Sequence, residues 1–485
     1  MRNFGLARAL LGVSLALALV GVPQTAQAAG KVTITNDTVW RDASGSEIQA
    51  QGGSVLKVGS TWYWVGTQLN GGKFGFEAVN MYRSTDLTNW TFVKAIFTPA
   101  GSGDLRSGTW VGRPDIVYNA ATQKYILVME IGLSGTFGNR LGFASSSTIE
   151  GDYTYLGSTT VNGGTLGDHS VFVDGTNAYL VYHANSADQV GVTMTIAPLA
   201  SDWLSVLSPI YSEADPTHEA PFIMKKGASY IWFESGRDWW QSTPTRYRVG
   251  SSLTSWGAWS TVPTSPSPAD SFNTQNDFII PVTGSSGTSY LYAGDRYTNF
   301  YGYENAAPTG TGRNAWYPIT FSGNVPTIVG ATDVYVDVAT GTLKWNPVTN
   351  GRFDMYATGQ APGYWNEAGT TDASFTQSGG FEGAQLTHWS NTAYSTVTHQ
   401  TISLANGTYT LSALARSTGG QTGAALYVKS YGGPELSASL ATSIPTWTNK
   451  SIVFTVTTGQ VEIGVWSYAG ANQWLNLDNV AIWAN

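Results

Sequence analysis

The chain has 485 residues, no cysteine and a formal net charge of −8, and only 12% of its residues are charged. This composition argues against a nucleic-acid or anionic-membrane partner, because either would require a basic face. The absence of cysteine excludes disulfides, thiolate metal ligands and a cysteine nucleophile. Aromatic residues reach 13%. Most of them are expected to fill β-sheet cores, and a minority could stack on the apolar face of a sugar ring.

Residues 1–28 have the pattern of an export signal. A basic region with Arg2 and Arg8 precedes an apolar run over 10–22, and residues 26–28 read Ala-Gln-Ala, a typical cleavage site. The apolar run is too short to span a bilayer. We therefore expect the mature protein to begin near Ala29, to be secreted and to have no membrane partner.

Residues 29–343 repeat one unit five times. Each copy has a polar anchor, a short strand, a turn and an aromatic strand. The five anchors are Gln51, Arg113, Asp168, Glu219 and Gln275. About four strands per unit predict a five-bladed β-propeller, in which the inner strands converge on a central channel. Because each anchor begins an inner strand, we expect the five side chains to point into one cavity.

The repeat ends at about residue 343. Residues 344–485 contain short, regularly spaced strands, which predict a β-sandwich of the jelly-roll type. The chain is therefore expected to be all-β, with a signal peptide at 1–28, a catalytic propeller at 29–343 and a sandwich at 344–485. No long Pro- or Ser-rich linker separates the last two parts, so we expect them to touch.

Two of the anchors are acidic and belong to adjacent units. Glycosidic bonds are cleaved by pairs of carboxyl groups, one of which protonates the leaving oxygen. A second carboxylate close by raises the pKa of that acid by charge repulsion. Glu219 as the acid and Asp168 as its modulator satisfy this chemistry, although carboxylates at strand ends can also serve only to cap turns.

The repeat, the Asp168 anchor and the Glu-Ala-Pro sequence at Glu219 resemble glycoside hydrolase family 43. The resemblance covers about 30–343 and is closest to the branch that contains exo-β-1,3-galactanases. It implies a five-bladed propeller and an inverting reaction, with Glu219 as general acid and Asp168 as pKa modulator. The segments that carry it begin at Gln49 (Gln-Ala-Gln-Gly-Gly), Gln275 (Gln-Asn-Asp-Phe-Ile-Ile-Pro-Val), Tyr292 (Tyr-Ala-Gly-Asp-Arg) and Trp316 (Trp-Tyr-Pro-Ile).

That branch lacks the Asp that serves other members as base, and the corresponding residue here is Gln51. The resemblance implies that Gln275 holds the attacking water instead. Gly112 and Thr67 stand where the branch usually has Glu residues that bind sugar hydroxyls, so the identity of the sugar stays open. Three other acidic residues are candidates to compensate, namely Glu77, Glu130 and Glu234.

Substrate contacts are predicted for Gln51, Arg113 and two aromatic residues, Trp240 and Trp316. Trp240 aligns with a Trp of the galactanase branch and is the better candidate for a sugar platform. Three histidines near the carboxylates lack a recognisable metal-ligand spacing, which favours ordinary polar packing of His169, His183 and His218. We expect no metal and no cofactor.

The C-terminal segment resembles galactan-binding modules of bacterial galactanases. The segments that carry this resemblance begin at Gly407 (Gly-Thr-Tyr-Thr-Leu-Ser-Ala), Val428 (Val-Lys-Ser-Tyr-Gly-Gly-Pro-Glu) and Trp466 (Trp-Ser-Tyr-Ala-Gly-Ala-Asn-Gln-Trp). The last two are expected to form loop edges of one face, where sugar would be bound by Lys429, Glu435, Asn472 and Trp474. The alternative is a purely structural sandwich with Trp389 and Trp447 in its core.

These features lead to three hypotheses about function. The first is a secreted, monomeric, inverting exo-glycosidase that acts on galactose-containing plant polysaccharide and is similar to exo-β-1,3-galactanases. The second keeps the enzyme and changes the sugar, giving a β-galactofuranosidase or an α-L-arabinofuranosidase. The third is a non-catalytic polysaccharide-binding protein on a degenerate propeller, which the missing Asp suggests.

Overall fold

A computed structural model of the chain describes residues 32–69, 75–133, 140–185, 192–238, 241–265, 270–297, 314–355, 358–381 and 383–485. Within these ranges every regular element is a β-strand, except for one 3-10 turn at Thr371–Ala373. The all-β prediction is therefore confirmed. No helix in the described part of the chain is long and apolar enough to cross a membrane. The predicted signal peptide and Trp240 lie outside the described residues.

After a first short strand, β1 (Val32–Thr35), five sheets follow one another along the chain, and we number them sheet 1 to sheet 5. In sheets 1 to 3 four antiparallel strands pair in chain order. Sheet 1 contains β2 (Gln51–Val58), β3 (Thr61–Leu69), β4 (Phe76–Ser84) and β5 (Thr91–Phe97). Sheet 2 contains β6 (Trp110–Asn119), β7 (Lys124–Gly132), β8 (Arg140–Ser146) and β9 (Thr154–Thr159). Sheet 3 contains β10 (Thr165–Asp174), β11 (Asn177–Asn185), β12 (Thr193–Pro198) and β13 (Tyr211–Ala214).

Sheets 4 and 5 have five strands each. Sheet 4 contains β14 (His218–Lys226), β15 (Ser229–Gly236), β16 (Arg246–Ser252), β17 (Ser255–Trp256) and β18 (Ser260–Thr261). Sheet 5 contains β19 (Thr264–Ser265), β20 (Gln275–Gly284), β21 (Gly287–Asp295), β22 (Asn314–Ser322) and β23 (Val325–Val329). All pairs are antiparallel except β19 with β23, which is parallel.

Glycines fix the tight turns between the first and second strands in three of these sheets. Gly59, Gly175 and Gly227 have φ values of 62°, 64° and 60°. Glycine has no Cβ and adopts this left-handed conformation at little cost, whereas other residues are strained there. These turns therefore set the register of the hairpins that carry the anchors.

The hydrophobic cores lie between neighbouring sheets. One cluster of buried residues joins each successive pair of sheets, and a fifth joins sheet 5 to sheet 1. In that fifth cluster the ring centroids of Trp64 and Trp316 are 4.9 Å apart. The five sheets are thus packed in series, and the series closes on itself.

The C-terminal part forms a β-sandwich, as predicted. Its two five-stranded sheets enclose one core of buried residues that includes Leu386, Leu411, Leu426 and Ile463. One sheet contains β26 (Asn366–Gly369), β29 (Tyr394–Ser403), β31 (Gly423–Lys429), β32 (Leu436–Ser439) and β34 (Gln460–Ala469). The other contains β27 (Ser374–Ser378), β28 (Ala384–Trp389), β30 (Gly407–Ser417), β33 (Ile444–Val456) and β35 (Trp474–Ala484).

Two further strands lie between these parts of the chain. β24 (Asp333–Asp337) pairs with both β1 and β25 (Thr342–Trp345), so the predicted boundary at 343/344 falls inside a strand. The two parts also touch, because Tyr364 donates from its hydroxyl to Asp270 at 2.9 Å.

Candidate active site

In each of the five sheets the strand that carries the anchor, which we call the anchor strand (β2, β6, β10, β14 and β20), has a register irregularity near its N-terminal end. Such bulges bend a strand and re-aim the side chains beside them. All five predicted anchors lie within or directly beside these irregular segments. The segments run between Gln51 and Ser54, Gly112 and Asp115, Leu166 and His169, Glu219 and Phe222, and Asn276 and Phe278.

Arg113 is the centre of a buried hydrogen-bond network. Its backbone adopts the left-handed conformation in the bulge of β6, with a φ of 46°, and the residue is 7% exposed. Nη2 donates to Oδ2 of Asp168 at 3.0 Å and to Oε1 of Gln275 at 2.7 Å. Nη1 donates to Oδ1 of Asp277 at 2.8 Å. One guanidinium therefore joins anchors from sheets 2, 3 and 5.

Glu219 is linked to this network by the amide of Gln275. The Gln275 Nε2 donates to Oε1 of Glu219 at 2.8 Å. In addition, the backbone N–H of Ala220, which follows the acid, donates to Oδ2 of Asp168 at 3.0 Å. Four of the five anchors, namely Arg113, Asp168, Glu219 and Gln275, thus form one connected cluster.

The surroundings of the two predicted catalytic carboxyl groups shift their pKa values in opposite directions. Burial, and then the negative charge of Asp168, raise the pKa of Glu219 to about 8. Burial alone would raise the pKa of Asp168 too, but the charge of Arg113 and its hydrogen bond hold that pKa below its ordinary value. At neutral pH Glu219 is therefore protonated and Asp168 is ionised.

Gln51 is buried at the start of β2, and the residue is 1% exposed. Among the residues that the structure describes, its side-chain oxygen and nitrogen have no hydrogen-bond partner. The structure therefore does not bring Gln51 into the network of the other four anchors.

Two acidic residues of the site were missed in the sequence. Asp277 accepts from Arg113, and Asp295 accepts from the backbone N–H of Gly52 and from the side chain of Asn314. Both acids are buried, with exposures of 8% and 2%, and each lies at one end of an apolar run, 278–282 for Asp277 and 290–294 for Asp295. An acid in such a run is costly unless it is paired, and that pattern could have identified them.

Trp316 is a core residue, and the prediction that it binds substrate is wrong. The residue is 1% exposed, and its ring lies 5.2 Å from that of Trp40 and 5.8 Å from that of Trp90. It occupies the space between sheets 5 and 1, because the face of β22 that carries it points toward the neighbouring sheet rather than the cluster.

The histidines have different environments. His169 and His183 are buried, and burial lowers the pKa of His169 to about 3 and that of His183 to about 4, so both are neutral. His218 lies 2.9 Å from Asp215 and, with Glu234, forms a group of three potential metal ligands. The guanidinium of Arg246 already contacts both carboxylates of this group and supplies a positive charge there.

The four predicted sugar-binding residues of the sandwich do not share one face. Lys429 pairs with Glu462 at the start of β34, at 3.0 Å, whereas Asn472 and Trp474 follow the end of that strand. At about 3.3 Å per residue, the two ends of this strand are more than about 20 Å apart. Glu435 precedes β32, whose first residue pairs beside Lys429, so it lies at the Lys429 end.

Trp474 instead belongs to an aromatic cluster on the outer face of the other sheet. It pairs directly with Trp389, which is 39% exposed. The guanidinium of Arg416 lies 5.9 Å from the ring centroid of Trp474 and 4.7 Å from that of Trp447. Trp389 and Trp447 are thus outside the core, contrary to the structural alternative. We call these four residues, Trp389, Arg416, Trp447 and Trp474, the tryptophan face.

Polar side chains fix Arg416 within the tryptophan face. Its Nε donates to Oδ1 of Asn476 at 3.1 Å, and its Nη2 donates to Oε1 of Gln385 at 2.9 Å. Asn476 in turn donates to Thr387 at 2.9 Å. Aromatic rings beside fixed polar groups are the arrangement that suits a sugar, which offers both a C–H face and hydroxyls.

Residues 48–314 match the sequence pattern of glycosyl hydrolases family 43, which is more than half of the chain. The chain belongs to glycosyl hydrolase family 43. It is therefore a glycoside hydrolase, as the resemblance implied, and the sheets that carry the cluster have the β-propeller fold of that family.

Solved structures with the same fold include several galactan-cleaving enzymes. An exo-β-1,3-galactanase from Phanerochaete chrysosporium, solved with β-1,3-galactotriose, is 24% identical, with a TM-score of 0.60 over 93% of this chain and 100% of that one. An exo-β-1,3-galactanase from Clostridium thermocellum is 20% identical, with a TM-score of 0.59 over 92% and 99%. A family 43 β-1,3-galactosidase solved with galactodeoxynojirimycin is 26% identical, with a TM-score of 0.52 over 61% and 98%. No curated protein matches the chain.

Proposed function

We propose that this family 43 enzyme is a secreted, monomeric, inverting exo-glycosidase that releases galactose from β-1,3-linked galactan. The observation that carries the proposal is the Glu219–Gln275–Arg113–Asp168 network, which holds a protonated carboxyl beside an ionised one. In this proposal the five sheets are the blades of one propeller, and the network lies where their anchor strands meet. The galactan specificity is supported by the activities of the solved enzymes that share the fold.

Glu219 acts as the general acid. A buried, protonated carboxyl near neutral pH can donate its proton to the glycosidic oxygen as the bond to the sugar breaks. Asp168 keeps Glu219 protonated through its negative charge, and Arg113 keeps Asp168 ionised. Glu219 thus donates the proton, Asp168 raises the pKa of Glu219, and Arg113 lowers the pKa of Asp168.

Gln275 holds the attacking water. Its carbonyl oxygen accepts from Arg113 and one of its N–H groups donates to Glu219, which leaves a second N–H group. Inversion requires the acid and the water-holding group to be about 6.5–9.5 Å apart, on opposite faces of the sugar. Nε2 of Gln275 lies 2.8 Å from Oε1 of Glu219 in this structure, so the proposal requires Gln275 to move away from Glu219 when substrate binds and the glycosidic oxygen to take its place.

The sandwich binds polysaccharide through the tryptophan face. Three indole rings offer stacking surfaces, and Arg416 with Asn476 offers hydrogen-bond donors between them. A second sugar site on the same chain raises the effective concentration of the catalytic site at an insoluble substrate. The tryptophan face thus replaces the predicted binding group of Lys429, Glu435, Asn472 and Trp474, whose members lie at opposite ends of β34.

Purified protein should be assayed against β-1,3-galactan, arabinogalactan, arabinan and galactofuranosyl oligosaccharides. We expect galactose as the first product from β-1,3-galactan, without intermediate oligosaccharides, and as the α-anomer in early proton NMR spectra. An arabinose or galactofuranose product would favour the second hypothesis. The sequence supports that hypothesis at two positions, because Gly112 and Thr67 stand where the galactanase branch usually has Glu. Lack of product from all four substrates would favour the non-catalytic hypothesis.

A further inference from the structure

Three of the five sheets place their side chains at the bulge in the same way. Register pairs Gln51 with Thr67, Glu219 with Ser235, and Gln275 with Asp295. In each pair the longer polar side chain is on the anchor strand and the shorter one is on the strand that follows it in the chain. The anchor-strand member is the one that the proposed chemistry uses in sheets 4 and 5.

Sheet 2 reverses this arrangement. Its first strand has Gly112 at the corresponding position, and the paired residue on the second strand is Glu130. A Cβ atom at residue 112 would lie 2.5 Å from Oε2 of Glu130 and 2.7 Å from Nε1 of Trp110. The carboxyl group of Glu130 therefore fills the space in which a side chain of residue 112 would begin.

Glu130 is held there by a fixed donor. Nε1 of Trp110 donates to Oε2 of Glu130 at 3.0 Å, and both residues are buried, at 6% and 4% exposure. This bond orients the carboxyl group and leaves Oε1 as its second polar atom. The pairing is unusual for a buried acid, because its partner in the described residues is a neutral ring N–H rather than a cation.

The carboxyl of Glu130 also lies within the field of the catalytic cluster. Burial, and then the charge of Asp168, raise its pKa to about 8, and the charge of Arg113 opposes this shift. A neutral carboxyl has one O–H donor and keeps acceptor capacity. It can therefore donate to a hydroxyl group and accept from another at the same time, which a carboxylate cannot do.

We propose that Glu130 is a substrate-positioning residue whose carboxyl group binds a hydroxyl of the galactose unit at the scissile bond, taking the place of the side chain that Gly112 lacks. This inference rests on the proposed galactan-cleaving function. It explains how sheet 2 contributes a sugar-binding group although its first strand has a glycine at that position. The residue acts on binding and orientation, and the proton transfer stays with Glu219.

The test compares the full-length wild type with Glu130→Gln on β-1,3-galactobiose. Glutamine keeps the size of the side chain, and its carbonyl oxygen can still accept from Trp110, but its amide cannot both donate and accept toward the sugar. We expect KM to rise about tenfold, the value of one hydrogen bond, while kcat changes less than threefold. The matched control is Glu150→Gln, since Glu150 forms an outer ion pair with Arg83 at 2.8 Å, away from the network of Arg113.

A panel of monodeoxygalactosides separates direct contact from a structural role. For the wild type, removal of the hydroxyl that Glu130 contacts should weaken substrate binding. For Glu130→Gln, removal of the same hydroxyl should cause little further loss of affinity, because the contact is already lost. If Glu130→Gln lowers expression or thermal stability, Trp110→Phe removes the orienting donor and should raise KM in the same direction. An active wild type whose KM and deoxy-substrate pattern are unchanged by these substitutions overturns this inference alone. A wild type that releases no galactose overturns the proposed function itself.

Discussion

The guanidinium of Arg113 sets the charge distribution among the acids around it. It is paired with Asp168 and Asp277 at 3.0 and 2.8 Å, and it also binds the amide oxygen of Gln275. Buried charges are stable only when they are paired and hydrogen-bonded. Because one cation serves several acids, a carboxyl that it does not contact, such as Glu219, keeps its proton.

Asp168→Asn should move the basic limb of the kcat/KM profile to lower pH. In the proposed mechanism Glu219 acts as an acid while it is protonated, so activity should be present below its pKa of about 8 and lost above it. Removal of the neighbouring negative charge favours the ionised form of Glu219, and its pKa falls. The profile of kcat/KM against pH reports this group in the free enzyme.

The control for this variant is Asp174→Asn, on the same strand. Asp174 forms an outer ion pair with Lys225 at 2.8 Å, away from the network of Arg113. Its substitution should leave the basic limb where it is in the wild type. A basic limb that stays in place in Asp168→Asn as well would mean that Asp168 does not tune the acid.

Single residues of the site could be predicted from the sequence to different extents. Asp168 and Glu219 could be identified as candidates from their positions in the repeat. In the structure both positions lie at bulges of their strands. Trp316 could not be assigned correctly, because an aromatic residue at a strand end has the same pattern whether it faces a cavity or the next sheet. Asp277 was missed because the bulge of β20 turns a residue inside the strand toward Arg113.

At the scale of elements, the bulges depend on glycines that allow two strands to approach closely. A Cβ atom on Gly53, within the bulge of β2, would lie 1.7 Å from the carbonyl oxygen of Val65 on β3. That distance is far below van der Waals contact, and the obstacle is backbone. Close packing of the β2–β3 hairpin therefore requires glycine at residue 53, independently of any contact between this anchor and substrate.

Gly53→Ala should destabilise the propeller by at least about 3 kcal/mol, the upper end for overpacking, because β2 and β3 must move apart. Gly59→Ala is the matched control in the same hairpin. Gly59 has a φ of 62°, and a Cβ atom there would meet nothing within 4 Å, so its substitution should cost about 1–2 kcal/mol of backbone strain. Thermal unfolding of the two variants checks the order, and equal midpoints would contradict this account of the bulge.

The elements themselves were largely predictable, whereas their contacts were not. Alternation of aromatic and β-branched residues with turn glycines gives the hairpins of the repeat and the strands of the sandwich. The sequence does not show which outward-facing residues of separate strands meet, and so Lys429 and Trp474 were assigned to one face. Strand pairing puts them at opposite ends of β34.

At the scale of the whole molecule, the propeller and the sandwich are in contact but have separate cores. Substitutions on the tryptophan face should therefore leave the cluster of Arg113, Asp168, Glu219 and Gln275 intact. The two sites are linked through the chain, which makes polysaccharide binding and turnover separable in experiments.

Trp389→Ala and Trp474→Ala should each weaken retention of the full-length protein on insoluble β-1,3-galactan about tenfold, the effect of one lost stacking ring. Turnover of soluble β-1,3-galactobiose should stay at the wild-type value. Lys429→Ala is the control, because Lys429 pairs with Glu462 at the far end of the sandwich. Pull-down of both Trp variants at the wild-type level, or loss of retention in the Lys variant alone, would reject the tryptophan face as the binding surface.

The most direct test of the catalytic assignment is the effect of Glu219→Gln on two substrates with different leaving groups. Glutamine keeps a carbonyl oxygen that can accept from Gln275, so the network is preserved while the proton is removed. We predict a loss in kcat/KM of about 10²–10⁴-fold on β-1,3-galactobiose and a much smaller loss on 2,4-dinitrophenyl β-galactoside, whose leaving group needs no proton. Equal losses on both substrates, or wild-type turnover of the disaccharide, would contradict the assignment of Glu219 as the general acid.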